Sequence, residues 1–264
     1  MADLKSFDRV ADVYDETRSL PPDVERAIAG GIARLAFGVS SQPHLLEVGI
    51  GTGRIAVPLA AEGVHVSGID ISPKMLARLR AKRRDIDVML AEASRPPLRE
   101  RSFDALLFVH ILHLVPDAAA TLDATMPLLR AGGLVLYGGD DGHIGRRAEA
   151  ERIIREAARD VAGVALAEWE ERDRVGELVH RMLAGRCDDV RDVTLARWKR
   201  KGRGRQMIER LQRQDFSSSW KIPTAAIPEI VERVTPKLDA LYGGLDRENE
   251  IERGFTLTVG TLRG

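Results

Sequence analysis

At 264 residues the chain is long enough to bury a sizeable core, and suits one α/β domain with an elaboration or a small cap. Its 44% apolar and 30% charged content fits an ordinary globular protein. With 40 basic residues against 40 acidic ones it has no global field to steer it toward nucleic acid or anionic lipid, so either partner would need a local patch. The lone cysteine, Cys187, excludes an internal disulfide framework and a Cys-rich metal site, is compatible with a reducing compartment, and reads as a partly buried filler.

Met1 to Arg9 lacks the apolar region of a secretion signal. The longest strongly apolar stretch, Leu106 to Val115, is interrupted by His110 and His113 and falls far short of the roughly 20 residues that cross a bilayer. The expectation is a cytoplasmic protein with no membrane insertion. Residues 1–40 read as an N-terminal helical segment, and 41–143 alternate short apolar strands with helices, the pattern of a parallel sheet covered on both faces. Strands are expected at Leu45–Val48, Val64–Ile69, Asp87–Ala91, Phe103–Val109 and Leu134–Tyr137. Helices are expected from Ile55 to Glu62, from Lys74 to Arg83 behind a Ser72 cap and Pro73, and from Ala118 to Leu129. Arg130 to Gly133 reads as a turn.

Beyond Asp141 the alternation stops. Ile144–Ala162 and Glu168–Ala184 read as amphipathic helices, Val190–Trp198 as a strand, Lys199–Arg205 as a charged connection, about 206–242 as helices and Gly254–Val259 as a last strand. Residues 144–264 thus hold the remaining core elements with an inserted helical lid at about 199–250, which the N-terminal segment is expected to join.

The most informative run is Leu45 to Ile55, where a buried strand enters a turn with glycine at every second position, Gly49, Gly51 and Gly53, and then a helix. Such a turn lets a ligand approach the main chain, while the helix presents unsatisfied N–H groups. A dinucleotide fingerprint would need glycine at position 54, which is Arg54. Asp70 ends the second strand about 20 residues past Gly49, where a carboxylate can accept hydrogen bonds from ribose hydroxyls; an N-cap or loop acid is the alternative.

Glu47 followed by Gly49-x-Gly51-x-Gly53 resembles motif I of the class I S-adenosylmethionine (SAM) dependent methyltransferases. Ala91-Glu92-Ala93, Pro96-Pro97-Leu98 and Phe103-Asp104-Ala105-Leu106 resemble that family's acidic loop, proline turn and fourth strand. Pro127 to Gly133 resembles its turn before the fifth strand, with Ala131 where proline is usual. Phe7 to Arg18 is similar to the opening of the small-molecule methyltransferases of ubiquinone and menaquinone biosynthesis. The likeness covers roughly residues 7–138. It implies a doubly wound, Rossmann-like, mostly parallel seven-stranded sheet with helices on both faces and a helical lid. It also implies cofactor contacts from Tyr14, Arg18, Glu47, Gly49, Gly51, Gly53, Asp70, Ile71, Glu92, Ala93 and Val109, with Glu47 at the ammonium end and Glu92 beside the adenine.

The expected reaction is in-line transfer of the methyl group to a small-molecule acceptor, leaving S-adenosylhomocysteine (SAH), with alignment and exclusion of water as the protein's main tasks. No metal is needed. If the acceptor must lose a proton, His110 is the candidate base, while His113 reads as structural. Asp140 and Asp141 can touch substrate or form a solvated turn with Gly138, Gly139 and Gly142. Trp198, Phe216, Trp220 and Tyr242 can line an acceptor pocket or pack as core. The run Arg197 to Arg213, with eight basic residues and one acid, raises RNA as a partner, but lacks interleaved aromatics and is expected to be a solvated helical face. The alternatives are an NAD(P)-dependent oxidoreductase, a SAM-binding protein without methyl transfer, and an RNA methyltransferase. Acceptor identity and oligomeric state have no signature here.

Overall fold

The computed structural model describes residues 7, 8, 11, 14–141, 146–164, 168–215 and 217–264. The elements in chain order are α1 (Tyr14–Arg18), α2 (Pro22–Phe37), β1 (His44–Val48), α3 (Ala56–Ala61), β2 (His65–Asp70), α4 (Pro73–Lys82) and β3 (Asp87–Leu90). Then come β4 (Phe103–Val109), α5 (Ala118–Thr125), β5 (Leu129–Asp141), α6 (Arg146–Ala162), α7 (Glu168–Arg186) and β6 (Cys187–Gly202). The chain closes with α8 (Gly204–Arg213), α9 (Ile227–Tyr242) and β7 (Asn249–Leu262). The strands make one seven-stranded sheet in the order β3-β2-β1-β4-β5-β7-β6. The pairs from β3 to β5 are parallel. β6 and β7 are antiparallel, since the contacts Asp192–Thr258, Thr194–Thr256 and Lys199–Glu250 run in opposite senses along the two strands.

By its internal contacts the chain divides into two units, Met1–Gly139 with Arg172–Ala196 and Phe255–Gly264, and Asp140–Glu171 with Arg197–Gly254. In the first, both faces of the central strands are covered: Leu46 and Phe108 on one side, Leu45 and Leu107 on the other, are fully buried. All seven residues of β4 are buried, as its continuous apolar run requires. Val175, Val179 and Leu183 of α7 join the same core. Local signals start the helices, with the Ser72 hydroxyl accepting from Met75 N–H at 3.1 Å and the Asp117 carboxylate from Ala120 N–H at 2.9 Å.

The second unit has its own core, in which Ile154 of α6, Leu211 of α8, and Ile230, Val234 and Leu238 of α9 meet. Gly204 lets α8 lie against the Tyr242 ring, because a Cβ there would come within 2.9 Å of it. No helix among the described residues is long and apolar enough to cross a membrane.

Three local expectations are corrected. The helix expected to reach Leu129 is α-helical only to Thr125, because Pro127 cannot donate the next i→i−4 bond and the chain tightens into a 3-10 turn at Met126–Leu128. Arg130 to Gly133 is a bulge inside β5, whose partners jump from Phe103↔Leu129 to Ala105↔Leu134. Lys199 to Gly202 continues β6, because every second residue finds an acid across on β7: Arg197 faces Glu252, Lys199 faces Glu250 and Lys201 faces Glu248.

Candidate functional site

β1 lies between β2 and β4, so the strand order reverses beside it, and in sheets of this kind ligands bind outside the carboxyl ends of the strands at such a point. The glycine turn follows β1 at that end of the sheet. Gly49, Gly51 and Gly53 all have positive φ, at 76°, 56° and 79°. Their surroundings differ. A Cβ on Gly49 would come within 2.7 Å of Ile111, and one on Gly53 within 2.9 Å of Leu79. A Cβ on Gly51 would meet nothing closer than 3.8 Å, so Gly49 and Gly53 permit packing while Gly51 presents open main chain. Gly68 was not singled out in the sequence, yet a Cβ on it would lie 2.2 Å from Ile50; it seats the turn on β2.

Two carboxyls flank this turn. Asp70 accepts Gly51 N–H at 2.9 Å on one oxygen and Ser72 N–H at 2.8 Å on the other, and a further backbone hydrogen bond from Ile71, which together fix its plane. Burial pushes the Asp70 carboxyl above its usual value against the pull of these backbone donors. Glu47 on β1 is only 3% exposed, and its Oε2 has no hydrogen-bond partner among the described residues. Burial drives its pKa up to about 8, opposed by the charge of Arg54 and a backbone N–H from Ala56, and reinforced by Asp70.

The N-terminal segment is tied to the same turn. Asp15 on α1 accepts the Thr52 hydroxyl at 2.6 Å and pairs with Lys82 at 2.7 Å, while Lys82 also donates to the Thr52 carbonyl at 2.9 Å. Burial resists ionisation of Asp15, but the hydrogen bonds from Lys82 and Thr52 outweigh it and hold its carboxyl below the usual value. Arg54 donates to the Arg18 carbonyl at 3.2 Å, and Asp8 accepts the Ser72 hydroxyl at 2.5 Å. Tyr14 stands edge-to-face with Phe7 at 6.1 Å. Tyr14 and Arg18 are thereby on the segment beside the turn, although sequence reasoning did not find the contacts of Asp8, Asp15, Thr52 and Lys82 that hold it there. The only available signal was the acidic character of residues 8–16 opposite a turn rich in donors.

The remaining candidates sit at neighbouring strand ends. Ile71 follows Asp70, and Glu92 and Ala93 follow β3, whose end is tied to β2 by Ala91 N–H donating to the Asp70 carbonyl at 3.0 Å. Glu92 is exposed and accepts the Ser94 hydroxyl at 2.5 Å. Val109 ends β4 beside Gly138, and His110 follows with φ 55°, a left-handed conformation that costs a non-glycine residue roughly 1 to 2 kcal/mol. Its imidazole lies where a Cβ on Gly139 would fall, 2.4 Å away at closest, so this strained histidine and a bare glycine backbone meet at the ends of β4 and β5. Asp104 works at the opposite end of β4, pairing with Arg130 at 2.6 Å and accepting His44 N–H at 2.8 Å.

In the second unit Asp140 belongs to β5, not to a solvated turn, and pairs with Arg253 at 3.6 Å, the two side chains being 19% and 11% exposed. Gly142 and Phe216 lie outside the described residues. Tyr242 is in the helical core, Trp220 donates its indole N–H to the Gln214 carbonyl at 2.9 Å, and Trp198 is half-buried on β6. The first part of the basic run is strand, not helical face, and its cations answer the glutamates of β7.

Residues 46–137 match the family model of a methyltransferase domain. Over 132 residues the chain is 37% identical to the demethylmenaquinone methyltransferase of Tropheryma whipplei, covering 49% of this chain and 55% of that one. Over 104 residues it is 36% identical to the ubiquinone biosynthesis O-methyltransferase of Xylella fastidiosa, covering 35% and 40%. The chain thus spans about half the length of the curated relatives it matches. Among solved structures, a putative methyltransferase from Bacillus halodurans superposes with TM-score 0.56 at 14% identity, over 90% of this chain and 99% of that one, a likeness of fold. Residues 46–137 thus match a methyltransferase-domain model, and they lie in a Rossmann-like, mostly parallel seven-stranded sheet.

Proposed function

We propose that the chain is a SAM-dependent methyltransferase that transfers a methyl group to a small-molecule acceptor, in the cytoplasm. The observation that carries this reading is the pairing of a main-chain opening at Gly51 with two carboxyls of different character. Asp70 is oriented by three backbone donors, from Gly51, Ser72 and Ile71, and offers its remaining acceptor capacity to a ribose hydroxyl. Glu47 offers an unpartnered buried oxygen to a cation. A ligand with a ribose and an amino-acid ammonium suits that donor set. A pyrophosphate suits it less, since Arg54 stands where a dinucleotide turn has its third glycine.

SAM, when bound, supplies an already activated methyl group. The chain's own work is orientation and exclusion of water. Gly51 admits the ligand to the main chain, Asp70 and Glu47 hold its two polar ends, Glu92 and Ala93 border its base, and Tyr14, Arg18, Ile71 and Val109 complete the walls. His110 is assigned as the base that takes the acceptor's proton at a ring nitrogen, a role in keeping with its strained backbone at the end of β4. Relatives named for menaquinone and ubiquinone chemistry put quinone-type phenols first among acceptors to try. RNA is disfavoured, because the cations on β6 are answered by the acids on β7.

The test is incubation with methyl-labelled SAM and separate panels of phenols, hydroquinones, amines and total RNA. Label in a small organic product supports the reading, and label in RNA alone would replace it.

A further inference from the structure

We infer that binding of the cofactor's ammonium end expels a proton from Glu47, so that cofactor association is coupled to proton release at this buried carboxyl. The inference rests on the cofactor reading above and adds a thermodynamic linkage to it. Glu47 lies in the middle of the sheet on β1, flanked by Gly68 of β2 and Leu107 of β4, neither of which has a side-chain donor. Its side chain is shut away from solvent, and Oε2 meets no donor among the described residues. A half-satisfied carboxylate in such a place is costly, whereas the neutral acid is not.

The charged groups acting on it are Arg54, from the turn into α3, and Asp70, at the end of β2, and these oppose one another. Burial decides the balance, and the carboxyl titrates near a pKa of about 8, so at neutral pH it carries its proton. An ammonium brought against Oε2 reverses that preference, because opposite charge favours the ionised acid. The balance is simple. The Glu47 O–H bond breaks, the ligand ammonium keeps its own proton, and one proton passes to the buffer.

Calorimetric titration with SAH at pH 7 in PIPES and in Tris reads this directly, since the two buffers take up a released proton with different heats. With the carboxyl and the ligand amine both at a pKa of about 8, Glu47 gives up about 0.9 proton and the amine takes up about 0.1, so about 0.8 proton should be released per SAH bound. Affinity should rise close to tenfold from pH 6 to pH 7, a range in which a ligand α-amino group, with a pKa of about 8, stays mostly protonated. The variant Glu47→Gln keeps the shape without the titration and should bind with no proton release, leaving only the uptake of about 0.1 proton by the ligand amine. Binding with equal heat in both buffers and flat affinity across that range would overturn the coupling while leaving the cofactor reading intact. Proton release that persists in Glu47→Gln would overturn its assignment to Glu47. Absence of SAH binding at every pH would overturn the cofactor reading and this inference with it. The two-buffer measurement on the native protein stands even if the variant does not fold.

Discussion

Replacing each glycine of the turn by alanine should separate the two jobs that the turn performs. Gly51→Ala places a Cβ in open space, 3.8 Å from Met75 at closest, so its stability cost is that of forcing alanine to φ 56°, about 1 kcal/mol. Gly49→Ala carries the same backbone cost and drives a Cβ to 2.7 Å from Ile111, which adds about 1 to 3 kcal/mol of overpacking. Unfolding in urea should therefore rank native, Gly51→Ala and Gly49→Ala in falling stability. Titration with SAH should give a different order. Gly51→Ala, the mild folding lesion, should lose at least tenfold in affinity because its new methyl occupies the space where the ligand meets the main chain. A Gly51→Ala protein that binds SAH like the native one, or that unfolds as easily as Gly49→Ala, would refute this division of roles.

Three further outcomes are expected. His110→Ala should lower turnover with little change in SAH affinity, and equal loss of both would make His110 a packing residue of the β4–β5 ends. Asp15→Ala should speed tryptic cleavage after Arg18 while shifting global stability by less than about 1 kcal/mol, because its pair with Lys82 is partly exposed; an unchanged cleavage rate would mean that the contacts of Asp15 do not hold α1 down. His44 is stacked on His65 at 4.0 Å, and burial, then the charges of His65 and Arg130, lower its pKa in the folded state. Below an unfolded value of about 6.5 the unfolded chain then binds more protons than the folded one, so stability falls as pH drops through that window. Urea midpoints between pH 5 and 7.5 should fall less steeply for His44→Gln than for the native protein, and parallel profiles would remove this pair from the account.

The sheet was legible because its signals are local: Leu45–Val48 and Phe103–Val109 are runs too short for helices, and Ser72 caps its helix by a contact within three residues. What remained hidden is set by distant partners. Lys199 reads as part of a charged loop until Glu250 is placed across from it, and Arg130 looks like a turn residue until Asp104 claims it. The glycine turn announced itself, yet only the structure separates Gly51, which faces open space, from Gly49 and Gly53, which make room for Ile111 and Leu79. Asp15 had no motif to mark it, because its meaning depends on Thr52 and Lys82, which the fold brings to it.

The most direct test of the cofactor assignment is a paired titration of the full chain with SAH and with NADH at pH 8, where Glu47 no longer has to surrender a full proton. The account predicts micromolar binding of SAH, lost in Asp70→Ala, and no binding of NADH. Binding of NADH without SAH would contradict it and turn the glycine turn into a dinucleotide site.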